Sequence, residues 1–174
     1  MKKYIKDGII KFQYEIVIVE DIEIDGKKFI KSYIARSEEE VLSAGWLPYE
    51  DIEEVRKYVL DKIIEYDESE SVNSFVINGI TAWIDRDTRA SLVNSTNSRL
   101  KLNETTTALW LNDLRIEIPC ETLLQLLAQL EVYALNCYDV TEQHKVNVSK
   151  LGTINEIKEY DFTINYPEKL NITL

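Results

Sequence analysis

The only histidine of the sequence, His144, is the one residue that could act as the base of a Ser-His-Asp or Cys-His site. It lies in the polar helical segment 142–145, and the chain has no Gly-rich turn of the kind that exposes a nucleophile. Such a position is typical of a surface histidine or of one that caps a helix. We therefore interpret His144 in that way and predict that the chain has no catalytic residue.

Two carboxylates, Asp85 and Asp87, bracket Arg86 directly after a predicted hairpin. Paired acids can bind a divalent metal or serve as acid and base. Where a strand leads into a helix, however, aspartate is a residue type that the N-cap and the first turn favour. We favour capping. A small hydrolase or metal-dependent enzyme that uses His144 and these two carboxylates is the competing hypothesis.

The two cysteines, Cys120 and Cys137, both lie in apolar helical patterns and are far apart in sequence. This arrangement is typical of two buried thiols rather than of a disulfide. Cys137 and His144 could share a helix face, but one cysteine and one histidine fall short of a zinc site, and no CxxC or HxxxH spacing occurs. The five glycines are isolated, which excludes a P-loop and a dinucleotide fingerprint. We predict neither a metal nor a cofactor.

The composition indicates an acidic globular chain. Its 174 residues are 45% apolar and carry a formal net charge of −11, so an acidic surface would repel a phosphate backbone and we expect no nucleic-acid partner. Lys11, Gln13 and Glu15 interrupt the first apolar stretch, and no stretch reaches the ~18 apolar residues of a membrane helix. We expect no signal peptide and no membrane insertion, with the product staying in the cytoplasm where it is made.

The elements that must position these residues suggest an α+β fold in two parts. Residues 1–66 are predicted to form a docking region, with a β-hairpin or meander over 9–35 that turns at Asp25-Gly26, followed by two helices. A capping box at Ser37 and Glu40 starts the first of these helices. The polar segment 67–71 is the predicted linker to a second domain.

The second domain, residues 72–174, is predicted to contain a hairpin followed by a helix, twice over. The first hairpin turns at Asn78-Gly79 and leads into a helix capped by Asp85 that runs to about residue 97. The second hairpin leads into a Leu-rich helix from Pro119 to about residue 138, and Thr141 is predicted to restart a further helix. A capping box at Thr153 and Glu156 is predicted to start a short last helix.

The Leu-rich helix is apolar on nearly all sides, so it must be either the central helix of the domain or part of a subunit interface. The core interpretation is favoured, and the interface interpretation stays open. Trp83 and Trp110 lie on strands of the two hairpins, and their indoles could pack on this helix if the hairpins paired. We favour this core position over a platform on which a sugar or another ligand stacks. The candidate interface residues are Trp83, Trp110, Leu127, Leu130 and Tyr133.

Several segments resemble an uncharacterised family of phage-encoded domains, found in phages and prophages of gut bacteria, crAss-like phages among them. The strings that carry the resemblance are SEEEVLSAGWLPYE, SVNSFVINGITAWIDRDTRASLVNS, TTTALWLNDLRIEIPCETLLQLLAQLEVYALNCYDVTEQHKVNV and YDFTINYPEKL. Together they cover most of residues 37–174. The segment 96–102 is more polar and irregular than the resemblance implies. Genes of this family tend to lie among tail and tail-fibre genes, and the resemblance implies no catalytic or binding residue.

These observations lead to one functional hypothesis and one close alternative. The first is a non-enzymatic virion structural protein, a tail or tail-fibre attachment component that binds itself as a homo-oligomer and other phage tail proteins. The alternative is a tail-fibre assembly chaperone that is absent from the mature particle.

Overall fold

A computed structural model describes residues 2–173 and confirms the α+β class. The chain divides into two compact units, residues 1–55 and 56–174. The division lies inside a helix, ahead of the predicted linker at 67–71, because the residues from Arg56 onward pack with the second unit. The Arg56 guanidinium donates hydrogen bonds to the carbonyl oxygens of Val148 at 2.6 Å and Leu151 at 3.1 Å. Met1 and Leu174, the outer ends of the two predicted domains, lie outside the described residues.

Unit 1 contains a three-stranded antiparallel sheet and a separate two-stranded hairpin. The sheet has the order β2-β1-β5, from strands β1 (Lys3–Lys6), β2 (Ile9–Phe12) and β5 (Leu47–Tyr49). The hairpin consists of β3 (Val17–Ile24) and β4 (Lys27–Ile34), each eight residues long. Its turn is at the predicted Asp25-Gly26, where the φ angles of 52° and 74° are in the left-handed region that this dipeptide tolerates.

The core of unit 1 is small. Its buried side chains are Tyr4, Ile16, Ile18, Ala35 and Val41. The last of these comes from α1 (Glu38–Ser43), the helix that the predicted capping box starts. The Ser37 hydroxyl accepts from the Glu40 amide at 3.2 Å, but the Glu40 carboxylate accepts from the Arg36 amide at 2.6 Å, so one half of the box is displaced by one residue.

Unit 2 contains two small sheets. The first has the order β10-β6-β7, in which β6 (Phe75–Ile77) and β7 (Ile80–Ala82) form the Asn78-Gly79 hairpin and β10 (Asn171–Ile172) pairs parallel to β6. The second is the hairpin of β8 (Thr106–Leu111) and β9 (Leu114–Pro119). The two hairpins therefore belong to separate sheets and do not pair with each other.

A short 3-10 helix (Gln13–Glu15) joins β2 to β3 in unit 1, and four further α-helices follow along the chain. They are α2 (Ile52–Asp67), which contains the unit boundary, and α3 (Arg86–Lys101), α4 (Cys120–Lys150) and α5 (Ile154–Glu159) of unit 2. Asp85 caps α3 as predicted, and its carboxylate accepts from the Thr88 amide at 2.9 Å. A capping box of Thr153 and Glu156 starts α5, also as predicted.

Helix α4 runs without a break for 31 residues, so the predicted restart at Thr141 was wrong. The sequence between Tyr138 and Lys150 contains no glycine or proline, and nothing in it interrupts the backbone hydrogen bonds of the helix. The Thr141 hydroxyl donates instead to the Asp67 carboxylate at 2.6 Å. Thr141, which suggested a helix start, is thus a buried partner of another segment.

The core of unit 2 is built on α4. One cluster joins both hairpins and the first part of this helix, and its buried members are Val72, Phe75, Ile77, Ala82, Ile84, Leu109, Leu111, Ile118, Leu123, Leu126, Leu127, Leu130, Tyr133 and Cys137. The core interpretation of the Leu-rich helix is therefore confirmed. Both cysteines are free and buried, as predicted.

The substitution Leu130→Ala should lower the free energy of unfolding by about 2–5 kcal/mol, because it leaves a cavity among fully buried side chains. Leu135→Ala is the matched control on the same helix, where the side chain is 57% exposed and the expected change is within about 0.5 kcal/mol. Denaturant unfolding followed by the helical circular dichroism signal measures both. Equal losses in the two variants would contradict the orientation of α4.

Candidate interaction surfaces

The β3–β4 hairpin, which we call the arm, has one face that is open to solvent, with apolar side chains toward its base and the charged Asp21, Glu23 and Lys28 toward its turn. Residues Val17 and Val19 of β3 lie on the same face as Ile30 and Ile34 of β4, since Val17 pairs with Ile34 and Val19 with Ser32. These four side chains are between 54% and 76% exposed. Four β-branched side chains side by side on an open sheet face are typical of a surface that another protein covers.

The opposite face of the arm is anchored at its base and exposed at its tip. Ile18 is buried in the unit 1 core and Tyr33 packs against that core, whereas Ile24 and Phe29 near the turn are 54% and 47% exposed. The Tyr33 hydroxyl donates to the Glu20 carboxylate at 2.6 Å, and this hydrogen bond raises the pKa of Tyr33 to about 12. The base of the arm is therefore fixed by one face, and the other face is left free.

The charges of the arm are segregated by strand. β3 carries Glu20, Asp21 and Glu23 and no base, while β4 carries lysines at 27, 28 and 31 and no acid. Among residues 2–173, no other strand pairs with the outer edge of β3 or of β4. Both edges thus present unpaired backbone donors and acceptors, one flanked by negative and the other by positive side chains.

A second feature of interest, in unit 2, surrounds His144, which is 3% exposed. The interpretation of this residue as a surface or capping histidine was therefore wrong. Its Nε2 lies 3.0 Å from the carbonyl oxygen of Ile164, and its Nδ1 lies 2.7 Å from the Tyr160 hydroxyl. Because a carbonyl can only accept, Nε2 is the donor, and Nδ1 accepts from Tyr160. Tyr160 in turn accepts from the Asn147 amide at 3.1 Å, so every polar atom of the group is used.

The segment after α5 is held to α4 by these bonds and by aromatic contacts. The Tyr166 ring lies 5.8 Å from His144 and 5.4 Å from Tyr66, and Tyr66 also meets Phe162 edge-on at 5.9 Å. Burial raises the pKa of Tyr166. This histidine joins two segments of the fold, and both of its ring nitrogens have protein partners. No periodic pattern predicts the burial of His144, since its contacts come from an irregular segment.

Arg89 is a buried charge that the sequence did not reveal. It is 5% exposed; its Nε donates to the Glu131 carboxylate at 2.8 Å and another guanidinium nitrogen donates to the Ile84 carbonyl at 2.7 Å. The guanidinium lies 5.4 Å from the centre of the Trp83 ring, close enough for a cation–π contact. These contacts tie α3 to α4, and they explain why Trp83 is only partly exposed.

The predicted interface residues are distributed between core and surface. Leu127, Leu130 and Tyr133 are buried in the core of this chain, so they offer no exposed side chain to a partner. Trp83 packs partly on the same core, and Trp110 is 63% exposed on β8. The expected core position is therefore wrong for Trp110, because the two hairpins do not pair, and a contact role for Trp110 stays a prediction.

Unit 2 also has a shallow apolar groove between α4 and the C-terminal segment. It has a volume of about 480 Å³ and is lined by Ala128, Val132, Tyr133, Pro167 and Leu170, among others. Val132 on its rim is 59% exposed. The groove is a second surface that could bind an apolar side chain, but it has no free polar edge of the kind found on the arm.

The carboxylates considered for metal binding serve the helix. Asp85 accepts from the amide and the hydroxyl of Thr88, and these hydrogen bonds lower the pKa of its carboxyl group. Within residues 2–173, no three histidine, cysteine or acidic side chains lie close enough to hold a metal ion. In the same residues, no helix is both long enough and apolar enough to cross a membrane.

The substitution Tyr160→Phe should lower the free energy of unfolding by about 1–3 kcal/mol, because it leaves the buried His144 Nδ1 without its partner. We expect faster amide hydrogen exchange in residues 160–173 at the same time. Tyr138→Phe, at a side chain that is 56% exposed on α4, is the control and should change neither quantity. An unchanged exchange rate in Tyr160→Phe would contradict the role of this bond in holding the segment.

Comparison with known proteins identified no similar protein. No protein-family model matches the chain, and no match was found among the curated proteins or the solved structures. The function must therefore be argued from the surfaces of the chain itself and from the resemblance of its sequence segments.

Proposed function

We propose that this chain is a non-enzymatic structural protein of a bacteriophage particle, a tail or tail-fibre attachment component that works through protein–protein contacts. The observation that carries the proposal is the arm, whose face at Val17, Val19, Ile30 and Ile34 is open to solvent while both its edges are unpaired. A long, exposed, apolar edge strand is a hazard for a monomer, and natural proteins cover or block such edges.

The hydrogen bonds of His144, the candidate catalytic base, support the same proposal. His144 is buried and has both ring nitrogens engaged by Tyr160 and Ile164. A general base must reach the proton of a substrate within hydrogen-bond distance, and neither nitrogen is free to do so. Asp85 is likewise occupied as an N-cap. These assignments weaken the competing proposal of a small hydrolase or metal-dependent enzyme.

The phage context of the proposal comes from the sequence segments that resemble phage-encoded domains found among tail genes. In this proposal the chain is made in the host cytoplasm and ends in the virion, where its partners are further copies of itself and other tail proteins. The tail-fibre assembly chaperone differs only in its fate, since it would leave before the particle is complete.

Peptide mass mapping of purified particles should find this chain at a fixed ratio to the other tail proteins of the phage that encodes it. A structural component remains in the particle because its contacts are permanent. The major capsid protein is the positive control, and a non-structural early protein is the negative control. Absence from particles, combined with presence in infected-cell lysate, would favour the chaperone over the structural role.

Replacing Val19 and Ile30 together with serine should shift the purified chain toward the monomer, because it removes apolar area from the exposed arm face. Light scattering after size exclusion measures the change. The matched control replaces Val132 and Leu135 with serine on α4, where the side chains are 59% and 57% exposed. If the α4 pair dissociates the assembly and the arm pair does not, the arm is not the contact surface.

A further inference from the structure

The distribution of charges on the arm indicates how two copies of the chain would bind each other. We infer that the acidic β3 edge of one copy pairs antiparallel with the basic β4 edge of the next, so that the arms of several copies close into one β-barrel. This inference rests on the proposed function, and it names both the partner, a second copy of this chain, and the geometry of the contact.

The charges at the two edges of the arm have opposite signs, negative on β3 and positive on β4. In the order β3-β4-β3-β4, each acidic strand has basic neighbours and each basic strand has acidic ones. Opposite charges across neighbouring strands are favourable, and like charges directly opposite each other are unfavourable. A two-fold arrangement that paired β4 with β4 would place the lysines at 27, 28 and 31 beside one another. Charge therefore selects the head-to-tail arrangement.

The direction of pairing follows from where the charges and apolar residues lie along the arm. Glu23 is opposite Lys28 near the turn, and Val17 is opposite Ile34 at the base. Antiparallel pairing between copies in the same register keeps turn beside turn and base beside base. Parallel pairing would place the charged end of one arm against the apolar base of the next. All arms in the assembly therefore point the same way.

Four charged side chains of the arm have no side-chain partner among the described residues. Asp21, Glu23, Lys27 and Lys28 make no hydrogen bond or ion pair with another side chain among residues 2–173, although Glu23 and Lys28 are directly opposite each other. Glu20 and Lys31, nearer the base, do interact, at 3.9 Å. The four charges near the turn are thus available to a neighbouring copy.

We expect the paired arms to close into a barrel because each arm has two unpaired edges and only one face that its own unit covers. A head-to-tail contact repeats until it closes into a ring or continues as a filament. In a ring, every edge is paired, which removes the free edges altogether. The face with Ile18 and Tyr33 packs on the core of its own unit 1 and must be on the outside, so the face with Val17, Val19, Ile30 and Ile34 is inside.

The size of the barrel can also be bounded. About eight strands give an interior that side chains just fill, and since each copy contributes two strands, this corresponds to about four copies. Strands of eight residues give a barrel wall roughly 27 Å along the strand direction. Its base would be filled by valine and isoleucine, and the charged residues near the turn would alternate in sign around its mouth.

The test exchanges the signs of the four unpartnered charges in the full-length chain, with Asp21→Lys, Glu23→Lys, Lys27→Glu and Lys28→Glu. The exchanged chain keeps opposite charges within its own arm and should assemble with itself as the wild type does. Mixed with wild type, it places lysine beside lysine or acid beside acid at every contact between a wild-type copy and an exchanged copy. Native mass spectrometry should then show mixed oligomers at least about tenfold below the statistical proportion.

Each other outcome contradicts the inference. Mixed oligomers above the statistical proportion would show that like edges meet, because wild-type acids would then pair with the new lysines. Statistical mixing would show that the arm edges are not in contact. A wild-type chain that stays monomeric would overturn the self-association of the proposed function as well, so the two failures are distinguishable.

A second pair of variants requires smaller changes. Val19→Cys and Ser32→Cys are made in separate chains, because these positions are already opposite each other within one arm. Oxidation of the mixture should give a disulfide between the two variants, and neither variant alone should give one. A cross-link in Val19→Cys or Ser32→Cys alone would indicate like-edge pairing, and the absence of any cross-link in an assembled mixture would overturn edge pairing in this register. The native Cys120 and Cys137 are buried and serve as internal controls.

Discussion

The burial of α4 on several sides is the constraint on which unit 2 depends. A helix of 31 residues is roughly 46 Å long, and its apolar positions are too numerous to be covered by one neighbour. Both hairpins cover its first part, and Leu123, Leu127 and Leu130 are buried there. The later part is covered differently, by the irregular C-terminal segment, which is why polar contacts of Thr141 and His144 replace aliphatic packing.

Unit 1 differs from unit 2, because few of its apolar side chains are covered by other residues of the unit. Its core holds only a few buried side chains, and Ile18 is the one strongly buried residue that the long arm contributes to it. The arm nevertheless devotes β-branched residues to both of its faces. Selection for stability of the isolated unit does not explain apolar side chains on the face that the core never reaches. A contact beyond the chain does explain them.

Local signals in the sequence predicted much of the fold. The Asp25-Gly26 and Asn78-Gly79 turns, the Asp85 cap and the Thr153–Glu156 box follow from short-range backbone chemistry, and each is where it was expected. Contacts between residues far apart in sequence could not be predicted from these local patterns. The burial of His144 depends on a carbonyl twenty residues away in an irregular segment, and the unit boundary depends on what Arg56 reaches. The arm was predicted as a hairpin. Its sequence also places apolar residues on both faces and acids and lysines on different strands, and this pattern indicates an uncovered surface.

Because the acids of the arm are on one strand and its lysines on the other, the arm favours one specific contact over unspecific aggregation. An exposed apolar hairpin with mixed charges on both edges would pair in several registers and directions, and such edges lead to aggregation. With Asp21 and Glu23 on one edge and Lys27 and Lys28 on the other, only a contact that turns each copy the same way brings opposite signs together. A contact of this kind has a direction, so it can close a ring but cannot form an isolated symmetric pair. The same few residues would thus supply both the solubility of the free arm and the polarity of the assembly.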